Sequence, residues 1–146
     1  MKTKVLFDTS VLVAALVKPH PAHQRAFAWL KKAKSGPISM VVSSHTLAEL
    51  YAVLTTLPVS PRITPEAASR LIQQDVFDMA VIAPLSAGDY KAVIKKLKDA
   101  DLPGGIIYDA LICQAAVKSQ AELLLTLNGS DFRRLPMFEG IKIVEP

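Results

Sequence analysis

Four carboxylates stand where side chains do chemistry in open α/β proteins: Asp8, Glu49, Asp109 and Asp131. Asp8 closes the apolar run Val5-Leu6-Phe7, Glu49 comes shortly after the run Ile38–Val42, and Asp131 follows Leu123–Thr126. Carboxylates that share one cleft raise one another's pKa, so they stay ionised together only when a cation compensates them. Hard oxygen donors of this kind select Mg²⁺ or Mn²⁺. Such an ion lowers the pKa of a bound water and stabilises a pentacoordinate phosphate and its leaving oxygen, which is the chemistry of phosphodiester hydrolysis.

The elements that must position these acids follow from periodicity and punctuation. Val5-Leu6-Phe7 reads as a buried strand, Asp8-Thr9-Ser10 as a polar turn, and Val11, Leu12, Ala15 and Leu16 as a helix. Ala22, Ala26, Phe27, Leu30 and Ala33 mark a second helix that stops at Ser35-Gly36-Pro37. Ile38–Val42 is the second strand, and Ser43 or Ser44 caps a helix with Leu47, Leu50, Tyr51 and Leu54 on one face and Glu49 off that stripe. Pro58–Pro65 is a stiff loop, with Thr64 as cap and Pro65 at the first position of a helix running to about Phe77. Val81-Ile82-Ala83 is a third strand, and Ser86-Ala87-Gly88-Asp89 begins a helix through Lys98 in the manner of a capping box. Asp99 to Gly105 reads as a loop after which Asp109 opens the next helix. Leu123–Thr126 is a strand ending in the turn Asn128-Gly129-Ser130-Asp131, and Ile141–Val144 is the last strand.

Strands alternating with helices predict an α/β three-layer sandwich with a central, mainly parallel sheet. With 146 residues, 51% of them hydrophobic, the expectation is one domain over residues 1–146. Ligands in such sheets bind beyond the carboxyl ends of the strands. The loop Pro103-Gly104-Gly105 can bring Asp109 to the same rim as the other three acids. A net charge of +4 suits a polyanionic partner without requiring one. The lone cysteine, Cys113, excludes an internal disulfide and a cysteine-built metal site, which points to a reducing cytoplasm. Asp8-Thr9-Ser10 interrupts the apolar N-terminal stretch, and no run approaches the ~18 apolar residues of a membrane helix.

Phe7-Asp8-Thr9-Ser10-Val11-Leu12, Leu47-Ala48-Glu49-Leu50, Tyr108-Asp109-Ala110-Leu111-Ile112 and Leu125-Thr126-Leu127-Asn128-Gly129-Ser130-Asp131-Phe132 resemble, in order, the four acidic motifs of PIN-domain ribonucleases. Their spacing is similar to that of the VapC toxins of toxin–antitoxin pairs. Each motif alone is weak, and the ordered set carries the resemblance across essentially the whole chain. It implies an endoribonuclease whose catalytic, metal-binding acids are Asp8, Glu49, Asp109 and Asp131. Polar support would come from Thr9 or Ser10 and from Thr126 or Asn128. An RNA substrate, a protein antitoxin and a homodimer are implied with it. Asp8 and Asp109 are expected to bind metal directly, with Glu49 and Asp131 acting through water.

Other residues have plainer explanations. His20 and His23 lie on Pro-flanked sequence with no third ligand and read as surface residues of a helix start, and His45 reads as structural. The lysines at 31, 32, 34, 91, 95, 96 and 98 read as solvated helix faces. Arg133 and Arg134 adjoin Asp131 and are the stronger candidates for RNA contact. Phe27, Trp29 and Leu30, with the Pro58–Pro65 loop, are either core or a groove for a partner helix. A haloacid-dehalogenase-type phosphatase needs Asp-x-Asp after the first strand, where this chain has Ser10 in the third position. A PIN-like module that binds without cutting is the non-enzymatic alternative.

Overall fold

The computed structural model describes residues 2–146. Five strands, β1 (Thr3–Phe7), β2 (Ile38–Ser43), β3 (Val81–Ala83), β4 (Leu123–Leu125) and β5 (Lys142–Val144), form one sheet in the order β3-β2-β1-β4-β5. All neighbouring pairs are parallel, so the sheet is parallel throughout its described strands.

Helices α1 (Thr9–Leu16), α2 (His23–Ser35), α3 (Ser44–Thr56) and α4 (Pro65–Ile72) cover one face. The other face carries α5 (Ala87–Asp99), α6 (Ile106–Lys118) and the short α7 (Gly129–Arg133). Successive side chains of a strand point to opposite faces, and both faces here are roofed. Val5 and Phe7 of β1 therefore enter the core with Leu12, Leu50, Leu54 and Ile72, while Leu6 enters the core with Val41, Ala110, Ile112 and Leu124. This is why the central strand reads as an unbroken apolar run rather than an alternating one.

Local signals behave as expected at several ends. Thr64 accepts the Ala67 N–H at 3.1 Å with Pro65 at the first turn, and Ser86 with Asp89 closes a full capping box. Helix α4 passes into a π-helical turn at Gln73–Phe77.

Two expectations need correction. Asp109 does not open its helix: α6 begins three residues earlier, at Ile106. Gly104, at φ 79°, turns the chain so that the carbonyls of Gly104 and Gly105 accept the N–H groups of Ile107 and Tyr108. Burial of Ile106 anchors that turn, so Asp109 caps nothing and its carboxylate is left for the cleft. Nor is Asn128–Asp131 an open turn. The Asn128 carbonyl accepts from Asp131 and Phe132, Phe132 is buried, and the segment winds into α7 with Asp131 on it. The Gly129 N–H donates to Glu145 Oε1 at 3.1 Å, and a Cβ at Gly129 would push aside the exposed ends of the Glu145 and Arg133 side chains.

Among the described residues, no helix is long and apolar enough to cross a membrane.

Candidate active site at the carboxyl rim of the sheet

Register builds the centre of the site. Phe7 of β1 pairs with Leu125 of β4, and the Asp8 N–H extends that ladder by donating to the Leu125 carbonyl at 2.9 Å. The next residues out, Asp8 and Thr126, therefore leave the sheet side by side. The Thr126 hydroxyl donates to Asp8 Oδ2 at 2.8 Å, and the Ser10 hydroxyl donates to the same oxygen at 2.9 Å. Oδ1 accepts the Thr9 N–H at 2.8 Å, the bond of a helix N-cap. Asp8 is 6% exposed, and burial raises its pKa against these hydrogen bonds, which favour the ionised form.

Threonine hydroxyls carry the network to the second acid. Thr9 Oγ1 contacts Thr46 Oγ1 at 3.1 Å and lies 3.3 Å from Glu49 Oε1, linking the start of α1 to α3. Burial and then the charge of Asp8 raise the Glu49 pKa, while His45 works in the opposite direction. Asp109 approaches from α6. Burial, followed by the charges of Asp8, Asp131 and Glu49, pushes its carboxyl up to about 6, with Arg134 pulling it down. Asp109 thus senses all three other acids, which is the electrostatic mark of a shared cleft. Asp131, on α7, is the exposed member of the four.

The chemistry of the donor set fits a divalent cation. Every charged donor is a carboxylate oxygen, and the supporting groups are hydroxyls. Among the described residues no three His, Cys, Asp or Glu side chains already converge closely enough to hold an ion between them. A rim of carboxylate and hydroxyl oxygens suits a hard cation that keeps several waters and takes one or two carboxylates.

A PIN-domain family model matches residues 5–136, nearly the whole of this sheet and rim. The chain belongs to the PIN-domain family. It is 35% identical to Ribonuclease VapC27 of Mycobacterium tuberculosis over 123 residues, 84% of each chain. VapBC2 from Rickettsia felis, solved bound to a DNA fragment from their promoter, shares the fold at 22% identity, with 99% of each chain covered and a TM-score of 0.66. So does VapC20 of M. tuberculosis, a Sarcin-Ricin loop cleaving toxin, at 17% identity, TM-score 0.68, with 89% of this chain and 94% of that one covered.

Of the polar residues expected to support this PIN domain's acids, Thr9, Ser10 and Thr126 all do so by side chain. Asn128 takes part differently: its backbone N–H donates to Thr126 Oγ1 at 3.0 Å, and the Leu127 N–H donates to Ser10 Oγ at 3.1 Å. These amides fix the two hydroxyls that fix Asp8. Arg134 reaches Asp109 electrostatically, whereas Arg133 leans toward Glu145 at 3.9 Å.

Two rim residues, Thr46 and His45, are missed by sequence reasoning. Thr46 looks like any helical threonine until its buried hydroxyl is seen to meet Thr9. His45 lies 3.8 Å from Glu49, one turn earlier on α3, and stacks on Tyr108. The i,i+4 spacing of His45 and Glu49 was the available clue. His20 and His23 are local fixtures: His20 Nδ1 accepts the Ala22 N–H, and His23 Nδ1 meets the Ala14 carbonyl at 2.9 Å. Cys113 is buried beneath the rim, and burial pushes its thiol up to about 12. Tyr51 leaves the apolar stripe of α3 and is 44% exposed.

Proposed function

We propose that this PIN domain, over residues 1–146, is an endoribonuclease that depends on Mg²⁺ or Mn²⁺ and uses Asp8, Glu49, Asp109 and Asp131 as its catalytic acids. The observation that carries the proposal is the clamp on Asp8: one buried carboxylate held by Thr9, Ser10 and Thr126 and joined through Thr9 to Glu49. Asp8 and Asp109 would bind the ion directly, and Glu49 and Asp131 through water. When bound, such an ion activates water as a nucleophile and neutralises charge on the phosphoryl oxygens. Ser10 and Thr126 occupy one oxygen of Asp8 and orient the carboxylate toward the cleft. Arg134 balances part of the acid charge, and with Arg133 it stands at the edge where a phosphate backbone would pass.

Similarity to a VapC ribonuclease supports the further proposal that the chain is the toxin of a toxin–antitoxin pair, acting in the cytoplasm as a homodimer. A groove of about 370 Å³ between α1, α2 and α4, where Leu16, Phe27, Leu30 and Leu71 are edged by Lys18, His23 and Asp75, offers an amphipathic antitoxin helix a seat. Trp29 and the Pro58–Pro65 loop do not line it.

Purified protein incubated with a structured RNA tests the activity. Internal cuts with Mg²⁺ or Mn²⁺, abolished by a chelator, are expected. The non-cutting binding module draws on the observation that no three ligand side chains converge on one point among the described residues. RNA that is bound yet left intact with both metals would establish that alternative.

A further inference from the structure

The acid rim is bordered by an aromatic pair that neither core accounts for. Tyr108 is 52% exposed and belongs to neither buried cluster. Its ring lies nearly parallel to the His45 imidazole, at 14° and with centroids 5.5 Å apart. Tyr108 immediately precedes Asp109 on α6, and His45 stands one turn before Glu49 on α3, so the pair spans the seam between the helices that deliver two of the four acids. Imidazole covers one face of the tyrosine ring and fixes its tilt.

The other exposed aromatics lie elsewhere, Phe27 among them, stacked on His23 within α2. Tyr51 and Phe77 flank an apolar cavity with Leu47 and Ile72 on the α3/α4 side. Tyr108 instead adjoins Asp109 on α6 and stacks on His45 one turn from Glu49, so a chain whose phosphate reaches these acids would carry its flanking nucleosides past the ring. Bases stack on aromatic rings whatever their identity, but only when they are released from a duplex.

We propose that the Tyr108–His45 pair is a stacking platform for one unpaired base flanking the phosphate that is cut. This rests on the ribonuclease proposal above and adds a substrate requirement to it: the nucleotide at that position must be able to leave its helix. Tyr108 supplies the contact surface, and His45 acts as a positioning residue that holds the ring.

The test uses the full chain and a single-stranded RNA oligonucleotide whose cut site has first been mapped. 2-Aminopurine placed at each position next to the cut, with metal chelated, should be quenched on binding at one position. Tyr108→Ala should abolish that quenching and raise KM by roughly 5- to 100-fold, the range expected for losing one stacked base. Tyr108→Phe should retain both, which separates loss of stacking from loss of folding. An abasic nucleotide at the same position should penalise the wild type by a similar factor and add little further penalty to Tyr108→Ala. The platform is overturned if Tyr108→Ala keeps the quenching and KM of the wild type. It is also overturned if that variant changes the oligomeric state while quenching persists, which would make Tyr108 a subunit contact. A wild-type chain that cuts no RNA with Mg²⁺ or Mn²⁺ brings down the nuclease proposal and the platform together. Normal cutting by Tyr108→Ala brings down the platform alone.

Discussion

Asp89 and Asp109 lie on adjoining helices, α5 and α6, and meet opposite electrostatic fates. Asp89 Oδ2 accepts from Lys118 Nζ at 2.7 Å and from the Ser86 N–H at 2.7 Å, while Oδ1 accepts from Gln114 Nε2 at 3.1 Å. Lys118 above all, then these hydrogen bonds, hold its carboxyl well below the usual carboxylate range. Gln114 turns its amide toward Asp89 and leaves its Oε1 buried without a partner. Asp109 is pushed up to about 6 by burial first and then by three like charges, with Arg134 opposing them. A carboxylate neutralised by a neighbouring lysine, as Asp89 is by Lys118, is spent on holding the fold. One surrounded by other carboxylates is unstable by itself and keeps its oxygens for a cation.

The widest separation between the two aspartates should appear in cleavage. Asp8→Ala, and separately Asp109→Ala, should lower RNA cleavage with Mg²⁺ by roughly 100-fold or more while the fold persists, a loss of the size seen when a group stabilising developing charge is removed. Asp89→Ala should leave the rate per folded molecule nearly unchanged. Losses below about tenfold in both site variants, measured alongside circular dichroism, would erase the distinction.

A second contrast concerns the cations near each aspartate. Lys118 is committed to Asp89, whereas Arg134 acts by its charge on Asp109, so Arg134→Ala should weaken RNA binding and reduce the slope of log K against log salt by about 1. Lys118→Met should leave that slope alone. Binding isotherms insensitive to salt in the wild type would remove the role given to the arginines.

Stability should move in opposite directions for the two sites. Asp89→Ala breaks the capping box of α5 and should cost about 1–2 kcal/mol near neutral pH, read as a lower Tm. Because its folded pKa is depressed, that contribution is present above the unfolded value of 3.8 and fades as pH falls below it. The gap between wild type and variant should therefore narrow in acid. A gap that is constant with pH would show that the Asp89 charge contributes nothing.

The smallest effect is the most diagnostic. Asp109→Asn keeps the shape and removes one of the crowded charges, so with chelator at pH 7–8 it should melt higher than wild type by up to about 1 kcal/mol, discounted for solvent screening. The folded Asp109 pKa, about 6, lies above the unfolded 3.8, so folding takes up a proton between these values and wild-type stability falls as pH rises through that window. The advantage of Asn should accordingly vanish near pH 4. Mn²⁺ should raise the wild-type Tm more than the variant's, since a ligand that favours the native state stabilises it by mass action. Equal Mn²⁺ shifts, with Asn less stable at every pH, would show that the acids do not form one metal site.

The strands were readable because apolar runs in a sheet roofed on both faces stand out against their Pro, Gly and Ser boundaries, as at Ser35-Gly36-Pro37 before β2. Ends governed by long-range burial were less readable. Ile106, Ile107 and Tyr108 do not announce a helix, and an aspartate after a glycine-rich loop resembles a cap, yet packing of Ile106 starts α6 before Asp109 arrives. Phe132 does the same for α7, turning an apparent loop into the helix that carries Asp131.

By itself, then, the sequence determined the identity and order of the four acids, the alternation of strands and helices that places Asp8 beyond a strand end, and the absence of a cysteine pair. The tertiary structure alone decided which hydroxyls hold Asp8, that Asn128 contributes an amide rather than a side chain, and that His45 backs Tyr108 beside Glu49. Thr126 and Asp8 are 118 residues apart in the chain and meet because parallel pairing sets Phe7 against Leu125. Helix rotation and strand register come from the packing of the whole core, so local pattern supplies the donors and acceptors but not their partners.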